Sequence, residues 1–140
     1  PVEMYRYPTS RFVANFIGRA NFLDGVVQDQ DKSNLVTKIM DQVLTLKNVK
    51  REFSKNESVT LIIRPEMVHV KKIGEPFTGV IRRATYLGDV IEYDVEMNGQ
   101  IITGLETDPY ITEQFPEGEN VTIGFAEGCI QVLPAEKTHE

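Results

Sequence analysis

The stretch VIEYDVEMNGQIITGLE, residues 90–106, decides the fold of this chain. Between positions 91 and 97 apolar residues alternate with acidic residues, which is the period of two expected for a half-buried β-strand. Asn98 and Gly99 follow, and this dipeptide supplies the two positive-φ positions of a tight hairpin turn. The stretch therefore predicts a β-hairpin with one buried face and one acidic face.

The two-residue loop also predicts which residues face each other across this hairpin. If only positions 98 and 99 form the loop, Val95 lies opposite Ile102, and Tyr93 lies opposite Gly104. An aromatic ring over a glycine is a favourable cross-strand pair. We therefore expect the odd-numbered side chains of the first strand to lie in the core.

Most of the remaining chain also alternates with period two or forms short apolar runs between turn residues. These patterns predict strands over Asn21–Gln28, Asn34–Gln42, Leu44–Lys47, Ser58–Arg64, Val68–Lys71, Phe77–Leu87, Val90–Met97, Gln100–Glu106, Asn120–Phe125 and Ile130–Leu133. Residues 29–33 are predicted to form a turn. Many short strands indicate an all-β barrel or sandwich.

A short helix is predicted before the first strand. Thr9 or Ser10 can cap its N-terminus, and Gly18 can end it in the left-handed conformation. Its apolar residues fall on one face, namely Phe12, Val13, Phe16 and Ile17. Because two turns are too short to be stable alone, this face is expected to pack on the sheet.

Composition excludes several classes of function. Apolar residues make up 41% of the 140 residues, so a core can form, and the net charge of -6 argues against a nucleic-acid binder. The single cysteine, Cys129, permits no disulfide within the chain and favours a reducing compartment. No apolar run is long enough to cross a bilayer, so we expect any membrane contact to go through a partner.

No catalytic or metal site is predicted. No glycine is followed by lysine, so the phosphate-binding loop of an ATPase is absent from this sequence. The possible metal or thiol ligands are His69, His139 and Cys129, which do not form a ligand pattern. Asp29 and Asp31 begin like a calcium loop, but the required glycine and final acid are missing.

Three segments, in order, resemble one family. Residues 1–25 resemble the segment after the ATPase core in the nucleotide-binding subunits of bacterial and archaeal ABC importers, through Pro1, Tyr5, Pro8, Phe12, Val13, Ala14, Phe16, Ile17, Gly18 and Asn21. LIIRPEMVHV resembles the I-R-P-E segment of their regulatory domain, through Ile63, Arg64, Pro65 and Glu66. A third segment resembles the one that ends in Y-L-G, through Gly79, Val80, Tyr86, Leu87 and Gly88.

The resemblance implies the transport-associated OB domain of such subunits, with a fold of one or two OB-like β-barrels after a short helix. It assigns residues 1–18 to a connector helix from an upstream ATPase domain and 19–134 to the regulatory domain. Two interleaved sub-barrels are expected at about 19–64 and 65–134, followed by a tail over 135–140. The chain would then be the C-terminal part of a longer subunit.

The resemblance also implies partners. These are the upstream ATPase domain, a second copy of the subunit, the permease subunits reached through the ATPase domain, and a small anion or a regulatory protein, but no nucleic acid. ATP and Mg²⁺ would bind upstream, so no cofactor and no ATP hydrolysis are expected of this chain. The subunit would be cytoplasmic and peripheral to the membrane.

Candidate site residues have both structural and functional interpretations. Arg64 and Glu66 form either a charged strand end or a contact that positions a barrel or a partner. Tyr86 and Gly88 form either a β-turn with Gly88 at positive φ or a loop at a dimer contact or ligand pocket. The remaining candidates are the cations Arg82 and Arg83, which could hold an oxyanion.

Two alternative functions stay open. A sensor of small oxyanions, such as molybdate or sulfate, could form at the interface of two copies. An OB-type oligonucleotide binder would have a similar fold. The basic cluster Lys47, Lys50, Arg51 and Lys55 and the pair Arg82-Arg83 would favour it, but the acidic net charge makes it the weaker hypothesis.

Overall fold

The computed structural model describes residues 20–126 and 130–135, and β-strands dominate them. The strands are β1 Asn21–Asp31, β2 Asn34–Ile39, β3 Gln42–Leu46, β4 Ser58–Ile63, β5 Val68–Lys71, β6 Phe77–Tyr86, β7 Ile91–Met97, β8 Gln100–Glu106, β9 Asn120–Phe125 and β10 Gln131–Pro134. One 3-10 turn, Pro65–Met67, separates β4 from β5. The all-β fold class is confirmed, whereas the predicted helix over 1–18 and Cys129 lie outside the described residues.

The first unit comprises residues 1–64 and 127–140. Its described part is a five-stranded antiparallel sheet with the order β10-β4-β1-β2-β3. The central strand β1 alternates because Leu23 and Val27 face the core, and a bulge follows Val27. The strand β4 is different, since its residues after Ser58 are all buried. Its sequence is therefore a nearly continuous apolar run, broken by the buried Thr60, rather than an alternation of apolar and polar residues.

The second unit comprises Pro65–Ala126 and holds a five-stranded sheet with the order β5-β9-β6-β7-β8. Its long strand β6 carries a bulge between Ile81 and Arg83. The two edge strands of this sheet lie side by side, because a Cβ added to Gly104 on β8 would lie 3.1 Å from Val68 Cγ1 on β5. The sheet therefore curls into a partly open barrel, which is the geometry of an OB fold.

The two units repeat one arrangement of strands. A long bulged strand, β1 or β6, pairs on one side with a meander, β2-β3 or β7-β8, and on the other side with a return strand, β4 or β9. The fifth strand of each sheet comes from the segment that follows the other sheet's return strand. The strand β5 follows β4 in the chain but pairs with β9, and β10 follows β9 but pairs with β4, so we call the fifth strands exchanged. Within the range expected for the second sub-barrel, 65–134, the strand β10 pairs in the first sheet.

The β7–β8 hairpin has the predicted register. Val95 pairs with Ile102, and Tyr93 pairs with Gly104. Both turn residues, 98 and 99, have positive φ angles, of 53° and 80°. The odd-numbered side chains of β7 are at most 1% exposed. The predicted buried face of this hairpin is confirmed.

The hairpin β2–β3 differs from its prediction. The sequence predicts a single strand over 34–42, but β2 ends at Ile39, β3 begins at Gln42, and the two residues between them form the turn. Met40 has a φ of 56° in this turn. Positive φ is uncommon for a residue other than glycine, and no glycine or asparagine marks the turn. The apolar pattern of the sequence therefore gives no sign that the chain reverses between β2 and β3.

Other strand ends differ from their predictions by one to three residues, among them those of β1 and β10. The strand β1 continues to Asp31, so the turn predicted over 29–33 contains only Lys32 and Ser33. The strand β10 includes Pro134, which the sequence assigns to the region after the last strand. Because β10 is an edge strand, a proline at its end costs no ladder hydrogen bond.

Gly79 lies on β6 between two closely packed neighbouring strands. A Cβ at this position would lie 2.7 Å from Val95 Cγ1, 2.8 Å from the carbonyl oxygen of Glu96 and 2.9 Å from Ile123 Cδ1. The carbonyl belongs to the backbone of β7 and cannot rotate away. Glycine is therefore required here by the close approach of the strands.

We expect the substitution Gly79→Ala to lower the free energy of unfolding by about 1–3 kcal/mol, because the added methyl overpacks the second sheet. The matched control is Gly25→Ala on β1, where the nearest atoms, on Ile39 and Leu61, lie at 3.3 Å. The control should change stability by less than about 1 kcal/mol. Urea denaturation followed by circular dichroism measures both, and equal midpoints for the two variants would contradict the prediction.

Candidate functional site

One end of the second sheet carries two neighbouring loops. Tyr86, Ile91 and Glu106 lie in one row across β6, β7 and β8. The β6–β7 turn closes there, with the Leu87 N–H donating a hydrogen bond to the Val90 carbonyl at 2.9 Å. The β8–β9 loop leaves from the same end. The candidate residue Tyr86 therefore lies at this end of the sheet.

The β6–β7 turn exposes apolar side chains. Gly88 has a φ of 86°, so the predicted positive φ at this position is confirmed. Tyr86 is 61% exposed and Leu87 is 50% exposed. Side chains of this size are usually covered when they adjoin one another. The predicted role of this loop in a dimer contact stays a prediction.

The β8–β9 loop, residues 107–119, begins with a hydrogen-bonded turn. The Asp108 carbonyl accepts hydrogen bonds from the backbone N–H groups of Ile111 and Thr112, both at 3.1 Å. The Thr112 hydroxyl donates to the same carbonyl at 3.0 Å. The turn nevertheless presents Tyr110 and Ile111 to solvent, each 85% exposed. We call these two residues the apolar tip.

Tyr93 attaches this loop to the core of the second sheet. The side chain of Tyr93 is 1% exposed, and its hydroxyl accepts a hydrogen bond from the Phe115 N–H at 3.1 Å. The two rings also contact each other, with centroids 5.9 Å apart. Burial raises the pKa of the Tyr93 hydroxyl above its ordinary value of 10.0, and the hydrogen bond from Phe115 opposes this rise. A core residue thus fixes the far part of the loop.

A cavity of about 520 Å³ lies between the edge strands β5 and β8 and the β8–β9 loop. We call it the seam cavity. Its apolar lining comes mainly from Val68, Val70, Tyr93, Leu105 and Phe115. The carboxylates around it belong to Glu66, Glu106, Asp108 and Glu113. Of the candidate residues, Glu66 therefore lies at this cavity.

Two lysines also line the seam cavity, but neighbouring carboxylates hold them. The Lys71 ammonium lies 3.4 Å from the carboxylate of Glu75, and the Lys72 ammonium lies 2.5 Å from that of Glu119. The hydrogen bond to Glu119 raises the pKa of Lys72 above its ordinary value of 10.5. Neither partner carboxylate is part of the cavity lining. The carboxylates that do line the cavity therefore give it a negative field.

The remaining candidate residues do not join this end of the sheet. Arg82 Nε donates to the Glu96 carboxylate at 2.6 Å, so its charge is paired within the sheet. Arg83 is exposed and pairs in register with Asp94, in the middle of β7. Arg64 is exposed and belongs to the first unit. The structure thus places Arg82 and Arg83 along β6 rather than in the turn that holds Gly88.

Sequence reasoning missed the apolar tip and the seam cavity. The tip carries a signal that could have been used, since Tyr110 and Ile111 are adjacent large apolar residues inside a polar segment without strand periodicity. The cavity has no such signal. Its walls come from segments far apart in the chain, and the Tyr93–Phe115 hydrogen bond joins residues 22 positions apart.

Residues 20–126 and 130–135 contain no group of three or more His, Cys, Asp or Glu side chains arranged to hold a metal ion. His69 is exposed on β5, and His139 lies outside the described residues. In the same two ranges, no helical segment combines the length and the hydropathy that a bilayer span needs.

A protein-family comparison matches residues 61–133 to the TOBE domain. Among curated proteins, the chain is 30% identical over 113 residues to the spermidine/putrescine import ATP-binding protein PotA of Protochlamydia amoebophila, covering 74% of this chain and 30% of that protein. It is 32% identical over 132 residues to PotA of Pseudomonas aeruginosa, covering 86% of this chain and 36% of that protein.

A third relative is the Fe(3+) ions import ATP-binding protein FbpC of Brucella suis, 30% identical over 127 residues, which are 89% of this chain and 34% of that protein. The chain thus spans about a third of the length of these relatives. Among solved structures, the cytoplasmic molybdate-binding protein ModG has the same fold, with a TM-score of 0.67 and 14% identity over 80% of this chain and 94% of that one.

We expect the substitution Tyr93→Phe to destabilise the protein by about 1–3 kcal/mol, because it leaves the buried Phe115 N–H without an acceptor. The amide of Phe115 should also exchange faster with solvent, since the loop loses its anchor. Tyr110→Phe is the matched control, because Tyr110 is 85% exposed, and it should change neither quantity. Urea denaturation and amide hydrogen exchange measure the two effects. Unchanged exchange in Tyr93→Phe would show that the anchor is unimportant.

The raised pKa of Tyr93 predicts a loss of stability at high pH. The folded state holds this proton more tightly than the unfolded chain, so the contribution is complete below about pH 10 and is lost as the pH rises through the folded-state pKa. The unfolding free energy of the wild type should therefore fall more steeply above about pH 10 than that of Tyr93→Phe. Parallel pH profiles for the two proteins would contradict this assignment.

Proposed function

This chain belongs to the TOBE domain family, and from that premise we propose that it is the regulatory and dimerising domain of the ATP-binding subunit of an ABC importer. The match to residues 61–133 carries the proposal. It is supported by the relatives named above, each of which is called an import ATP-binding protein. Because the chain spans about a third of those proteins, ATP hydrolysis and transport belong to the proposal for the whole subunit.

The proposed mechanism needs no chemistry in this domain. An ABC importer alternates between arrangements of its two ATPase domains, and a domain attached to them can bias that equilibrium. Such a bias requires a ligand, partner protein or second copy that binds one arrangement better than the other. In this proposal the cofactors, ATP and Mg²⁺, are bound by the ATPase domain, and permease subunits are contacted through it.

An alternative function, as a sensor of small oxyanions, is supported only by a similarity of fold. The molybdate-binding protein ModG shares the fold at 14% identity. Against this function stands the absence of Lys and Arg from residues 84–92 and 104–119, which comprise the two loops at the end of the second sheet and the strand residues beside them. Isothermal titration with molybdate and sulfate tests this function, and we expect no saturable binding.

The proposed function predicts a clear division of activities. The purified 140-residue chain should neither bind nor hydrolyse Mg²⁺-ATP in titration calorimetry and phosphate-release assays. The gene that encodes it should also encode, upstream of residue 1, a phosphate-binding loop with a Gly-Lys-Ser or Gly-Lys-Thr motif. ATP turnover by the chain alone, or an upstream region without that loop, would refute the proposal.

A further inference from the structure

We propose that the apolar tip and the seam cavity together form a docking site for a protein segment that presents a Lys or Arg side chain beside apolar side chains. The inference goes beyond the proposed function and does not rest on it, because both parts of the site lie within the second unit of this chain. It concerns a binding surface and assigns no reaction.

The tip and part of the cavity lining belong to one loop, residues 107–119. Asp108, Thr112, Glu113 and Phe115 line the cavity. Tyr110 and Ile111 lie between these residues in the chain, in the turn that the Asp108 carbonyl closes. A partner that covers the tip therefore contacts residues adjacent in the chain to those that line the cavity.

The cavity suits a long cationic side chain. Its apolar walls, which include Val68, Leu105 and Phe115, can pack against the methylene groups of a Lys or Arg side chain. Carboxylates such as those of Glu66 and Glu113 can accept hydrogen bonds from the charged end. Of the two lysines that line the cavity, Lys71 is paired with Glu75 and Lys72 with Glu119, and Glu113 also attracts Lys72. The four lining carboxylates still outnumber these two ammonium groups.

The tip supplies the apolar part of the contact. Both side chains are 85% exposed although hydrogen bonds hold the backbone of their turn. A preorganised turn loses little conformational entropy when a partner binds, and aromatic anchors contribute strongly to binding energy. Tyr86 and Leu87, exposed on the neighbouring turn, extend the apolar surface at the same end of the sheet.

Charge decides between possible occupants. Residues 84–92 and 104–119 contain no Lys or Arg but several acids. A symmetric contact between two copies through this surface would therefore bring like charges together. Nucleic acids and anionic lipids would be repelled for the same reason. A cationic, partly apolar protein segment is the complementary occupant.

The test uses a synthetic amphipathic helical peptide with leucines on one face and lysines on the other, together with a peptide in which glutamates replace the lysines. Fluorescence anisotropy with the 140-residue chain should show saturable binding of the lysine peptide, weakened by added salt, and no binding of the glutamate peptide. The double variant Tyr110→Ser/Ile111→Ser should weaken the binding of the lysine peptide by roughly tenfold or more. The double variant Glu66→Gln/Glu113→Gln should weaken it independently.

Ile101→Ser is the matched control for the tip, because Ile101 is 51% exposed on β8 but lies away from this end of the sheet. Circular dichroism should show that every variant is folded. The proposal is overturned if the lysine peptide does not bind, or if the tip variant and the control bind it equally well. It is also overturned if sedimentation shows a dimer that only the tip variant converts to monomers, because the surface would then be a contact between copies.

Discussion

The exchange of the two fifth strands is the constraint on which the described structure depends. After β4 the chain crosses to pair β5 with β9, and after β9 it returns to pair β10 with β4. Without β10, the apolar strand β4 would be an open edge of its sheet, and such edges recruit other chains. Each sheet is therefore completed by the segment that follows the other sheet's return strand. This explains why the first unit is built from two separate ranges of sequence.

Local patterns predict local pairing well in this chain. The alternation and the Asn-Gly turn of residues 90–106 predict the β7–β8 register, because hairpin partners are close in sequence and the turn type sets their alignment. The β2–β3 hairpin could not be predicted, since Met40 adopts a positive φ although the turn contains neither glycine nor asparagine, the residues that usually indicate such a φ. The strand exchange also escapes, because the pairing of β10 with β4 joins residues about 70 positions apart and leaves no periodic signature.

The candidate site shows the same limit. Gly88 at positive φ and the neighbouring Tyr86 could be proposed from the Y-L-G segment, and the structure places that turn beside the β8–β9 loop. The arginines could not be placed in the same way. A charged side chain on a strand can bind a residue that does not lie opposite it, and Arg82, in the bulge of β6, binds Glu96, which pairs in register with Val80. The sequence thus identifies a glycine at a positive φ, such as Gly88, more readily than it identifies the ion-pair partner of a charged side chain, such as Arg82.

The attachment of the β8–β9 loop to the core determines how binding at this end could affect the rest of the domain. The hydrogen bond from the Phe115 N–H to the Tyr93 hydroxyl joins the loop to the most buried face of β7. The central strand of the β6–β7–β8 meander is paired on both sides, so it cannot shift without changing the register of its neighbours. A partner that restrains the loop is therefore bound to a rigid sheet rather than to an independent flap. A sheet that moves as a unit with this loop is one way in which the affinity for a partner can depend on the arrangement of whatever is attached to the domain.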